Sequence, residues 1–147
     1  MRFPEVWLTP VILPAEHALG RYDPVNNRIY FSSREFFNYD SETQYYAILH
    51  EIGHWFRENY IDRNVIRFGW NMGTSDGEEG FADVFSMFFL DKNGLRRGHP
   101  SHHAVLANAL ENREKIVEEF AGKISRSLSS KNECSEIRCL VLKAQTL

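Results

Sequence analysis

Two histidines stand four residues apart, with a glutamate between them, in His50-Glu51-Ile52-Gly53-His54. Residues four apart on an α-helix lie one turn above each other on one face, so His50 and His54 can both reach a single metal ion. Zinc accepts nitrogen from neutral imidazole, and a catalytic site takes three protein ligands and leaves one position to water. Glu51 lies about 100° round the helix, placed to hold and deprotonate that water rather than to bind the ion. Random placement of this chain's residue types would spell the string with a chance of about 2%, so it needs support from elsewhere in the chain. The competing reading is an amphipathic helix with two surface histidines and a salt-bridging glutamate.

The support is a third ligand. In the stretch DGEEGFADVF, Glu79 and Asp83 are again four apart on one helix face. Glu79 is the natural third ligand, and Asp83 can accept a hydrogen bond from the distal ring nitrogen of a ligating histidine, fixing its tautomer. Glu78 competes for the ligand role, but as the last residue of Ser75-Asp76-Gly77-Glu78 it has a capping task. An acid-rich first turn that suits the helix dipole accounts for Glu78 and Glu79. It does not account for Asp83 beside Phe81, Val84 and Phe85, where a carboxylate needs a partner. Gly53 costs a helix interior roughly 1 kcal/mol against alanine, and its bare backbone would let a second element approach closely.

These residues need elements to hold them. Val6–Leu8 and Val11–Leu13 read as short extended pieces. Gly20–Tyr22 and Arg28–Ser32 read as strands joined by turn residues Asp23–Asn27, with Ile29 and Phe31 alternating with polar neighbours. Ser41-Glu42-Thr43-Gln44 fits a capping box, and Tyr45, Ile48, Leu49, Ile52, Trp55 and Phe56 recur at helical spacing to about Asn59. His50 and His54 share the adjacent face. A polar loop over 62–74 leads to a second helix from the Ser75 box to about Lys92, with Asn93-Gly94 as its stop. A third helix starts near Pro100 and carries Leu106, Leu110, Arg113, Val117, Phe120 and Ile124 on one face. The expected fold class is α+β: a small, mostly antiparallel N-terminal sheet packed on the active-site helix, the glutamate helix and the third helix. Residues 1–126 form the domain, and 127–147 a C-terminal extension.

At 147 residues the chain is the size of one domain. A net charge of −3 gives no electrostatic footprint for nucleic acid or an anionic membrane. No apolar run is long enough to cross a bilayer, and the N-terminal residues do not read as a signal peptide. A cytoplasmic protein is the expectation, with secretion of a processed form left open. The two cysteines, Cys134 and Cys139, could form a local disulfide, but reduced thiols are the expectation in that setting.

At HEIGH and EGFADVF the chain resembles the gluzincins, the thermolysin-like zinc metallopeptidases, over roughly residues 20 to 90. In size it is similar to the single-domain minigluzincins. The resemblance implies a zincin-like fold with one zinc ion held by His50, His54 and Glu79. It makes Glu51 the general base and acid, places Asp83 behind a ligand, and implies a peptide or protein substrate. It also implies that the hairpin ending NNRIYFSS serves as the edge strand above the cleft, along which an extended peptide substrate pairs. The oxyanion donor that such enzymes add has no clear counterpart, and His102, His103, Tyr60 and Tyr46 are the candidates. C-terminal segments of the minigluzincins can occupy the cleft, so residues from about 131 to 147, with the apolar run CLVL, are expected to do the same. Two alternatives stand beside a general endopeptidase. One resembles the phage and plasmid proteases that act on a single partner protein. The other is a non-catalytic protein with structural zinc, which would need a fourth ligand.

Overall fold

The computed structural model describes residues 1–14, 19–62, 64, 77–131 and 138–145, and among these four short strands and five α-helices of more than one turn build the fold. The strands are β1 (Glu5–Thr9), β2 (Arg21–Asp23), β3 (Arg28–Ser32) and β4 (Cys139–Leu142), in the spatial order β2-β3-β1-β4. The β2 and β3 strands form the expected antiparallel hairpin, turned by Asp23, whose Oδ1 accepts from the backbone of Val25 and Asn26. The β1 strand lies parallel to β3, pairing Val6 with Ile29 and Leu8 with Phe31, and antiparallel to β4. The sheet is therefore mixed. Alternation puts Val6, Leu8, Ile29 and Phe31 fully into the core.

Against that face packs α1 (Ser41–Tyr60), burying Ala47, Ile48, Leu49, Ile52, Trp55 and Phe56. Its start lies one residue earlier than the Ser41 capping box. Asp40 is the N-cap, its carboxylate accepting from Thr43 N, while Gln44 Nε2 donates to the Tyr39 carbonyl. Asp40 has the same capping chemistry as serine and takes the role. Asp40→Ala is expected to cost about 1 kcal/mol in denaturant unfolding, whereas Ser41→Ala should change stability by less than about 0.5 kcal/mol.

The remaining helices are α2 (Gly77–Leu90), α3 (Lys92–Gly98), α4 (Pro100–Ala109) and α5 (Glu114–Ser129). Three sequence expectations change here. Asn93-Gly94 does not stop a helix. Asp91 ends α2 and caps α3 through Gly94 N, so both residues sit inside the new helix. The expected third helix is two, because Asn112 takes a left-handed backbone (φ 64°) that breaks the rod between α4 and α5. Its apolar face survives the break: Leu106, Leu110, Val117, Phe120 and Ile124 are all buried. Val11–Leu13 forms no strand, and Val11 and Ile12 are exposed.

The C-terminal segment also differs. Helix α5 runs across the expected boundary at 126/127, and residues 139–142 are the fourth strand of the sheet. Phe3 N donates to the Gln145 carbonyl, extending the pairing past β4. Cys139 is disulfide-bonded, which corrects the expectation of a reduced thiol there. Ser75, most of the 62–74 loop, Cys134 and the rest of 132–137 lie outside the described residues. Among the described residues no helix is long and apolar enough to cross a membrane.

Candidate metal centre

Helices α1 and α2 meet where Gly53 leaves room for them. A Cβ at Gly53 would stand 3.1 Å from both Ala82 Cα and Phe85 Cβ, so the bare backbone permits the close approach expected of it. Phe56 and Phe85 pack beside that contact, with ring centroids 5.3 Å apart. The polar edge of this apolar seam carries the three anticipated ligands.

His50 Nε2 and His54 Nε2 lie 3.2 Å apart. Glu79 Oε2 is 2.9 Å from His50 Nε2, and Glu79 Oε1 is 3.1 Å from His54 Nε2. Four ligands bonded at about 2.1 Å around a tetrahedral ion stand roughly 3.4 Å from one another, close to these separations. One donor atom from each residue falls within 4.8 Å of the others. The donor set, two imidazoles and one carboxylate, is that of an open zinc site. Both histidines are largely covered, at 15% and 16% side-chain exposure, so an ion there would still be reached from one side.

Behind the ligands, Asp83 Oδ1 sits 3.0 Å from His50 Nδ1 and accepts the Tyr46 hydroxyl hydrogen bond. This orients His50 with Nε2 toward Glu79 and His54. The electrostatics follow from the crowding. Burial pulls the His50 imidazole down, but Asp83 and Glu79, with Glu51 adding its charge, outweigh it and raise the pKa to about 10. Hydrogen bonds from His50 and His54 hold the Glu79 carboxyl far below the usual range. Burial pushes Asp83 up, yet its contacts with His50 and Tyr46 leave it lowered. Burial first, and then the Asp83 contact, drive the Tyr46 phenol well above its ordinary value.

Glu51 is 3% exposed and lines a cleft of about 250 Å³ together with His54 and Glu79. The opposite wall is the edge strand β2 and its turn, through Arg21, Tyr22 and Pro24. The hairpin expected above the cleft supplies this wall through its outer strand β2, while β3 is internal, held between β2 and β1. The segment expected to cover the cleft is, where described, β4 on the far side of the sheet from β2.

None of the four oxyanion candidates lines this cleft. Tyr46 is committed to Asp83. Tyr60 stacks on Phe56 under the Arg113 guanidinium. His103 stacks on Phe88, and His102 packs edge-on to His99. The cations that do line it, Arg21 and Arg57, were not anticipated. Arg57 had a signal, since it follows His54 by three residues on the same helix face. Gly20 had none: it passes so close over Glu51 that a Cβ would stand 2.8 Å from Glu51 Cγ. Comparison with family models, with curated proteins and with solved structures finds no match to this chain.

Proposed function

We propose that the chain is a zinc-dependent metallopeptidase, with His50, His54 and Glu79 holding one ion and Glu51 moving the proton. Bound there, zinc would supply a Lewis acid for the scissile carbonyl and lower the pKa of the attacking water. The observation that carries this reading is the convergence of two imidazole nitrogens, 3.2 Å apart, and the Glu79 carboxylate, with a buried carboxylate, Glu51, beside them at an open cleft. A fourth protein ligand, which a purely structural zinc would need, is absent from that cluster among the described residues.

In this reading Glu51 takes the proton of the attacking water and returns it to the leaving amine. Asp83 and Tyr46 keep the His50 ring turned so that Nε2 faces the ion. The β2 strand, at the edge of the sheet among the described residues, is where an extended peptide would add as a further strand. Arg21, Arg57, Glu58 and Glu78 put charges of both signs on the cleft wall, and this favours a narrow substrate range, such as a single partner protein, over general proteolysis.

The test is chelator-sensitive, zinc-restored cleavage of a peptide library by purified protein carrying one zinc per chain. Protein that binds zinc but cleaves nothing, including its candidate partner proteins, would leave only the non-catalytic reading. A subtler check is Gly20→Ala. The new methyl must displace Glu51 or Phe31, so turnover is expected to fall about 10- to 100-fold while zinc content stays unchanged.

A further inference from the structure

We infer that Arg57 is a positioning residue for the metal centre, holding the Glu79 carboxylate in place by clamping its neighbour Glu78 to the histidine helix. The inference rests on the metal-site reading of His50, His54 and Glu79. Along one face of α1, Tyr46, His50, His54 and Arg57 meet acids of α2 in reverse order. Tyr46 and His50 reach Asp83, His50 and His54 reach Glu79, and Arg57 reaches Glu78. The two helices thus run antiparallel along a ladder of polar rungs, and Arg57–Glu78 is the last one.

That rung falls beside the ligand, in the first turn of α2. Glu79 is the third residue of α2, inside the first turn, where backbone N–H groups have no partner within the helix. The Asp83 contacts secure α2 one turn further on. On the other side of Glu79, α1 reaches α2 among the described residues through Arg57 Nη2 to Glu78 Oε1 at 3.0 Å, while Nη1 holds Glu58 at 2.9 Å. The Arg57 side chain is only 11% exposed, and a planar guanidinium with two anchored nitrogens fixes direction as well as distance.

Positioning and simple charge predict opposite signs. Arg57 is a cation lining the same cleft as two of the ligands, so its field alone repels a divalent ion, and removing it should tighten zinc binding. If Arg57 instead orders the Glu79 turn, removing it should loosen binding, by the 10- to 100-fold that loss of an outer support brings.

Zinc titration against a competing chelator, on the full chain, separates the cases for wild type, Arg57→Gln, Glu78→Gln and the double variant. Each single change is expected to weaken zinc about tenfold, and the double no more than either alone, because both break one rung. The Glu78→Gln loss should persist in about 1 M salt, where the field of that 60%-exposed side chain is screened. The visible bands of cobalt-loaded Arg57→Gln should shift as Glu79 relaxes. Wild-type or tighter zinc binding by Arg57→Gln would overturn the inference, as would single losses that multiply in the double variant. If Arg57→Gln does not fold, the salt-resistant loss in Glu78→Gln decides, and its disappearance at high salt overturns the positioning role. Failure of the wild type to bind zinc at all would overturn the metal-site reading itself.

Discussion

Glu51→Gln is expected to keep one zinc per chain and to lower kcat/KM on a cleaved peptide by about 1,000-fold or more. Glutamine matches glutamate in shape, so the packing of a 3%-exposed side chain beneath Gly20 is preserved. What it lacks is a carboxylate able to take a proton and give it back, a contribution of roughly 100- to 10,000-fold in acid–base catalysis. Glu51 is also absent from the ligand cluster, so binding of the ion and movement of the proton should separate cleanly in this variant. Paired zinc analysis and steady-state kinetics make the check. Turnover within tenfold of wild type would place the proton transfer on another group, and loss of zinc would give Glu51 a structural part.

Glu79→Gln is the second large effect, with zinc affinity expected to fall about 1,000-fold or more. Loss of an outer support brings 10- to 100-fold, and here a charged ligand itself is replaced by a neutral amide. Two imidazoles 3.2 Å apart would remain, a pair too few for a tight site. Protons compete with the ion in the same place. The raised His50 pKa means that its proton must leave before Nε2 can bind, so zinc stabilisation should grow with pH. In the ion-free protein the sign reverses. The stability His50 gains from Asp83 and Glu79 is full below about pH 6.5 and is lost as pH rises toward about 10. The Tm difference between zinc-loaded and ion-free protein is therefore expected to shrink from about pH 8 to about pH 5, and to be small throughout in Glu79→Gln.

The cluster of His50, His54 and Glu79 was legible because it depends on local regularities. A spacing of four on one helix names His50 and His54, and again Glu79 and Asp83, and Gly53 marks its own close contact. The core face of α4 and α5 was legible for the same reason, although the rod was not. Leu110 and Val117 keep their register across the break at Asn112, so periodicity alone does not reveal it. What escaped depends on pairing across the chain. Nothing local tells β2 from β3 as the edge, because that choice is made by β1 docking in parallel beside β3. The run CLVL has strand character, but its partner Val6–Leu8 lies far away in sequence. Arg57 needs Glu78 and Gly20 needs Glu51, and each partner sits on another element. Asp40 and Ser41 offer the same oxygen chemistry one position apart, so the sequence does not choose between them as the cap.

The β1 strand lies between β3 and β4, so its second flank is covered only by β4, the last of the described strands in chain order. During synthesis Val6 and Leu8 have only one flank paired until residues 139–142 emerge. Such distant pairing slows folding through the loss of chain freedom needed to close the loop. Meanwhile the open flank of β1 is a sticky template for other chains. Expression should therefore depend sharply on the closing strand. Chains stopping short of residue 139 are expected in inclusion bodies, even though every residue of the metal centre would be present in them.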